Sequence, residues 1–334
     1  MKKRTIVLTA ASLMTAMMAA NTAMAAEYKV GILKFMDHAS LNQIEDAVKA
    51  ELDAKSAEGE NTYVYEGYDL NGQGDSTMLL QQAAQLIDDG VDVIIPIATP
   101  AAAVVQSATE DNQIPVVFSA VSDPVIAGLV ESMEEPGANI TGTSDALNTN
   151  AILDLMFLAN PDIESVGLLY SLSEDSSKQP IADAKAYLDE KGIKYVEATG
   201  TNISEIQSAA AQLAADGVDA VFTPTDNTVM DAELAIYETF MDAGIAHYTG
   251  ADSFALNGAF CGYGVDYKNL GTATADMVIE ILNGADPAKM AVQTFDSGIA
   301  TVNTETAEAL GLDYSAFADV CTQVIETVTA ESFE

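Results

Sequence analysis

The chain has 334 residues, 49% of them hydrophobic, with 13 Lys+Arg against 51 Asp+Glu and a net charge of −38. A nucleic-acid binder needs a basic stripe to displace counterions from phosphates, and this balance excludes one. The acidity reads as a solvated surface suited to a salty medium, and the length is too great for one ordinary core and fits two domains of about 100–200 residues each.

Taken in chain order, Met1-Lys2-Lys3-Arg4 is a short basic start, followed by an uncharged, mostly apolar run to Ala20. Small residues at Ala23 and Ala25 form the A-x-A pattern of a signal-peptidase site, so residues 1–25 are predicted to be a cleaved signal peptide. Without a cysteine after the cut, the mature protein is expected to be soluble rather than lipid-anchored. No later stretch reaches the roughly 18 apolar residues of a membrane span.

Short apolar runs then alternate with amphipathic ones. Strands are predicted at Tyr28–Phe35, Thr62–Tyr68, Val91–Ala98, Ile114–Val121, Ser165–Tyr170, Lys194–Ala198, Val218–Thr223 and Ile245–Gly250. A helix is expected to start with Ser40 as cap, its apolar face carrying Leu41, Ile44, Val48 and Leu52, and a second to span Ser76–Asp88. Val91–Ala98 is almost continuously apolar, as in a parallel sheet covered on both faces. The alternation indicates an α/β fold built from βαβ units.

Asp89-Gly-Val-Asp92 recurs 127 residues later as Asp216-Gly-Val-Asp219, each copy with a helix ending at Gly and a strand after it. Thr99 and Asp226 align at this offset as N-cap candidates at strand carboxyl ends. Two similar doubly wound parallel-sheet lobes follow. Ligands of such sheets bind outside the carboxyl ends of the strands, so facing lobes make a hinged clamp.

Catalytic arrangements are wanting. The two histidines, His38 and His247, form no HExxH pair, and no Cys/His cluster or Walker loop occurs. Gly142-Thr-Ser-Asp-Ala146 lacks the final glycine of a nucleophile elbow. An enzyme is not expected, nor a metal or other cofactor.

Small polar residues remain at the strand ends: Thr99 before Pro100, Ser122 and Asp123, Ser144 and Asp145, Thr225-Asp226-Asn227, and Asp252. Buried carboxylates need partners, so several Asp residues on one cleft suggest a cationic ligand group. Helix N-termini suit a carboxylate. Together they fit an amino acid. Phe35, His38 and Tyr263 lie near the same edges, where aromatics would stack on a flat side chain. Cys261 and Cys321 raise the possibility of a disulfide, which requires Cα atoms within about 7 Å.

Several ordered motifs resemble the tryptophan/tyrosine-type substrate-binding proteins of ABC importers. They are Lys29–His38 with Leu41, Ala98-Thr-Pro-Ala-Ala102, Val117–Pro124 with Ala127-Gly-Leu-Val130, Asn139–Asp145, Pro224–Val229, and Asn257-Gly-Ala with Gly262–Tyr267. The resemblance reaches to about Leu312. It implies a type I periplasmic binding fold with three hinge crossings, an aromatic amino acid as ligand, and cleft contacts from Phe35, His38, Thr99, Ser122, Asp123, Ser144, Asp145, Thr225, Asp226, Asn227 and Asp252. Lobes are expected at 27–144 plus 267–288 and at 145–266 plus 289–330. A periplasmic monomer serving an inner-membrane ABC permease is implied; another small solute, or a ligand-presenting sensory module, is the alternative. Ser171-Leu-Ser-Glu-Asp-Ser176 departs from the family's loop, so no contact is assigned to Ser171 or Glu174.

Overall fold

The computed structural model describes residues 26–330; the expected signal peptide lies outside them. The strands are β1 (Ala26–Lys34), β2 (Asn61–Val64), β3 (Asp69–Asn71), β4 (Val93–Ile97), β5 (Val116–Phe118), β6 (Ile140–Ser144), β7 (Ser165–Ser171), β8 (Lys194–Gly200), β9 (Ala220–Thr223), β10 (Ala246–Thr249), β11 (Cys261–Gly264), β12 (Gln293–Thr294), β13 (Ile299–Asn303) and β14 (Gln323–Thr327). The helices are α1 (Ala39–Glu58), α2 (Ser76–Asp88), α3 (Thr99–Thr109), α4 (Thr149–Ala159), α5 (Lys178–Lys191), α6 (Ile203–Asp216), α7 (Asn227–Asp242), α8 (Asp252–Leu256), α9 (Tyr267–Leu282) and α10 (Thr304–Leu310).

Two seven-stranded sheets result. The first runs β12-β6-β5-β4-β1-β2, with β3 also on β1; the second runs β14-β13-β11-β10-β9-β7-β8. All pairings are parallel except β11 with β13. In β4 every residue of Val-Ile-Ile-Pro-Ile is buried, because helices cover both faces of the sheet. The duplicated Asp-Gly-Val-Asp segments end α2 and α6 in the same way, with Gly90 at φ 69° and Gly217 at φ 68°.

Three details depart from expectation. The run at Thr62–Tyr68 is a strand only as far as Val64: β2 ends there, the chain turns with Gly67 at φ 87°, and β3 begins at Asp69, both strands pairing with β1. Ser40 does not cap α1: His38 holds that position and Ser40 lies inside the helix. Thr99 likewise begins α3, and Ala98 stands before it.

The chain crosses between sheets after β6, after β11 and after β12. Because β12 pairs with β6 in the first sheet, the last crossing follows Thr294 instead of coming near residue 289. Helix α9 returns to the first lobe and packs on α1, where a Cβ at Gly271 would meet the Ile44 carbonyl oxygen at 2.5 Å. Thr274 fixes α9 to the sheet: its hydroxyl lies 2.8 Å from those of both Ser119 and Thr143. Among the described residues no helix is long and apolar enough to cross a membrane.

Candidate functional site

A cavity lies between the sheets, at the carboxyl ends of their strands; together with the open solvent at its mouth it holds about 380 Å³ of space unoccupied by atoms. The two lobes are drawn together over it. Ser122 and Thr225 hydroxyls meet at 2.9 Å, and His38 Nε2 lies 3.2 Å from Asn227 Oδ1. Ser40 Oγ donates to Asp252 Oδ1 at 2.6 Å and Gln43 Nε2 to Asp252 Oδ2 at 2.8 Å.

The helix starts around this cavity are unusual. Six helices (α2, α4, α6, α7, α9 and α10) are capped by an Asp or Asn side chain accepting from the first turn. Among the described residues, the side chain at the cap position makes no such bond in α1, α3, α5 or α8. Of these, α1, α3 and α8 begin at the cavity, which His38, Thr99 and Ser253 line; α5 continues from the 3-10 turn Asp175–Ser177, its Lys178 N–H bonded to the Asp175 carbonyl, and only Ser176 of that turn reaches the wall. The first N–H groups of a helix have no intrahelical acceptor, so these ends present donors and positive dipoles to one space. Two lining alanines, Ala98 at φ 79° and Ala120 at φ 55°, hold left-handed conformations where β4 and β5 end. Such conformations cost about 1–3 kcal/mol and gather at ligand sites.

Carboxylates face the same space. Asp145, 6% exposed, accepts from Ser122 Oγ at 3.0 Å, and burial pushes its pKa up to about 6. Asp226 caps α7 through Val229 N–H and also accepts from Ser171 N–H and Ser177 Oγ. Glu174, just behind the wall, accepts from Asn227 Nδ2 at 3.1 Å. Burial raises the pKa of both Asp226 and Glu174, and the neighbouring Asp226 charge adds to the effect on Glu174. None of these carboxylates belongs to an ion pair among the described residues. The apolar walls are Leu41, Met230, Phe254 and Tyr267.

Of the residues named from sequence, His38, Thr99, Ser122, Asp145, Thr225, Asp226 and Asn227 line the cavity. Five stand elsewhere. Phe35 packs in the first lobe's core, and Tyr263 in the second's. Asp123 turns the chain by accepting from Ile126 N–H. Ser144 is fully buried and donates to the Ser122 carbonyl. Asp252 is occupied by the opposite lobe. Ser253, beside Asp252 at the same strand end, lines the cavity as well. So do Ser40, Ser176, Met230, Phe254 and Tyr267, which no sequence pattern marked as ligand-facing, and Glu174, to which no contact was assigned, bonds Asn227 behind the wall.

Cys261 and Cys321 are both free. Cys261 is buried on β11 with its thiol 3.8 Å from the Gly262 carbonyl oxygen, whereas Cys321 is half-buried after the 3-10 turn Ser315–Asp319, so the bridge is not formed. Among the described residues no cluster of His, Cys, Asp or Glu is arranged to hold a metal ion.

A family model described as ABC transporter substrate binding protein matches residues 29–322. A tyrosine-binding protein of Clostridioides difficile is 30% identical over 285 residues, covering 85% of this chain and 81% of that one. An ABC domain from Streptococcus pneumoniae in complex with L-Trp superposes with a TM-score of 0.82 at 30% identity, covering 90% of this chain and all of the other. A ligand-free, open substrate-binding protein with adhesive properties from Clostridium difficile is 29% identical, over 91% of this chain and all of that one, yet its TM-score is only 0.67. At nearly equal identity, the lobes here match the tryptophan complex better than the open protein. The two lobes, the three crossings and the interlobe cavity are those of a type I periplasmic binding protein, a binding rather than a catalytic architecture, and the chain belongs to the ABC transporter substrate-binding protein family.

Proposed function

We propose that this protein is the extracytoplasmic component of an ABC importer, closes as a monomer on an aromatic amino acid, and delivers it to an inner-membrane permease. One observation carries the reading: among the described residues, buried carboxylates without a basic partner and three uncapped helix starts share one cavity between the lobes. A ligand bearing both an ammonium and a carboxylate satisfies both sets. Asp145 is the best-placed ammonium acceptor, because among the described residues Ser122 is the one side chain that donates to it. The N-terminus of α3 and the strained Ala98 and Ala120 backbone suit the carboxylate. Phe254, Tyr267, Met230 and Leu41 leave an apolar remainder for a flat side chain. The bound tryptophan of the pneumococcal structure and the tyrosine-binding relative point to the same ligand class.

In this mechanism residues 1–25 direct export to the periplasm and are removed there. The crossings at 145–148, 265–266 and 295–298 act as the hinge, and the Ser122–Thr225, His38–Asn227 and Asp252 contacts hold the closed form that the permease recognises. Titration calorimetry across the twenty amino acids and a few sugars tests the proposal. The chain contains no tryptophan, so bound tryptophan reports itself by its own fluorescence. Dissociation constants above about 100 μM, near −5.5 kcal/mol, for every aromatic amino acid would refute it.

A further inference from the structure

His38 bears an acceptor that the protein leaves unused. Asn227 Nδ2 donates to Glu174 Oε2 at 3.1 Å, which turns its Oδ1 toward His38 Nε2 at 3.2 Å. Oδ1 can only accept, so Nε2 carries the proton. The ring is neutral, its pKa lowered to about 4 chiefly by burial. The other nitrogen, Nδ1, is then a bare lone pair, and it is shut off from solvent with no hydrogen-bond partner among the described residues. His38 lines the cavity, so a bound ligand is the available source of a donor. A second orphan, the fully buried hydroxyl of Ser253, faces the same problem on α8 beside Phe254. A hydroxyl adapts to donors and acceptors alike, whereas neutral Nδ1 does not. Desolvated polar groups left unpaired are what make such sites discriminate between ligands differing by one O–H or N–H.

Resting on the aromatic amino acid reading above, we infer that His38 Nδ1 accepts a hydrogen bond from the ligand's side chain, so that the site selects an indole N–H or phenol O–H over a bare phenyl ring. The ammonium is left to Asp145. Selectivity then comes from a side chain on the first lobe whose tautomer is set by a residue of the second, so it exists only in the closed form.

Calorimetry with L-tryptophan, L-tyrosine and L-phenylalanine on the wild-type protein and the His38→Ala variant tests this. Wild type is expected to bind phenylalanine roughly tenfold or more weakly than the better of the other two. His38→Ala removes the His38–Asn227 contact and so weakens every ligand, and beyond that common loss it should weaken the better ligand roughly tenfold more than phenylalanine. Phenylalanine binding as tightly as both others overturns the inference and leaves the aromatic reading intact, and the wild-type comparison needs no variant to fold. An equal loss for all three ligands also overturns it, because His38 would then serve only the interlobe contact or the ammonium, which all three ligands share. Failure of all three to bind overturns both readings together.

Discussion

Asp145 connects binding and stability with opposite signs. It is 6% exposed just past the end of β6, and among the described residues it has one side-chain donor, the Ser122 hydroxyl, and no cation beside it. Burial raises its pKa from 3.8 to about 6 in the ligand-free protein. The unfolded chain holds this carboxyl near its ordinary value, so between pH 3.8 and about 6 the folded state binds the extra proton. Stability contributed by the group is therefore present at low pH and falls as pH rises through this window, the reverse of a salt-bridged aspartate. Above it the folded protein carries a desolvated charge, and the gap between the two values corresponds to about 3 kcal/mol. Asp145→Asn removes the charge and keeps an acceptor for Ser122. Without ligand, the variant is expected to be more stable than wild type at pH 7.5 by about 2–3 kcal/mol, with the difference shrinking toward pH 4. Its affinity for the amino acid should nevertheless fall by about 2–5 kcal/mol, because the ammonium loses a desolvated counter-charge. Urea unfolding at pH 4.5, 6 and 7.5, paired with calorimetry at pH 7.5, reads both. A variant less stable than wild type at pH 7.5 refutes the electrostatic reasoning, and unchanged affinity removes Asp145 from the ammonium site.

Other consequences are directly measurable. Lowering the pH through about 6 protonates Asp145 and should weaken amino acid binding in the wild type, whereas Asp145→Asn should bind with a flatter pH profile in calorimetry. Asp252→Ala removes the acceptor of two interlobe hydrogen bonds and is expected to weaken binding by about 1–3 kcal/mol, mainly through faster dissociation of tryptophan in stopped-flow fluorescence. Thiol titration should find Cys321 reactive in the folded protein and Cys261 only after unfolding; one mole of disulfide per chain in fresh protein would contradict the free pair. With a net charge of −38, the chain should unfold at higher temperature as sodium chloride rises from 0.05 to 1 M, because screening relieves self-repulsion.

The fold was legible because its signals are local. A wholly buried strand such as β4 needs five apolar residues in a row, and the paired helix ends at Gly90 and Gly217 need residues that tolerate positive φ. Boundaries were less legible where a pattern serves more than one element. Thr62–Tyr68 reads like one strand, yet β2 stops at Val64, the chain turns at Gly67 and β3 starts only at Asp69. The two-residue strand β12 has no periodicity at all. It exists because Gln293 and Thr294 happen to pass beside β6 on the way to the last crossing.

The site divides along a similar line. Strand-end Asp, Thr and Asn residues could be found from position, since the carboxyl edges of both sheets face each other. Their tasks could not, because a carboxylate at a strand end has three competing partners and the sequence names none of them. Asp226 spends its oxygens on its own helix and on Ser171 and Ser177. Asp252 gives both of its oxygens to Ser40 and Gln43, more than 200 residues away. Asp145 alone keeps capacity for a ligand. Apolar contributors such as Met230, Phe254 and Tyr267 were hidden for a different reason: on helices they look like any other core residue. What makes them ligand-facing is the meeting of two lobes, a long-range property that no window of sequence contains. The unused nitrogen of His38 is the extreme case, since its protonation is decided by an asparagine 189 residues further along the chain.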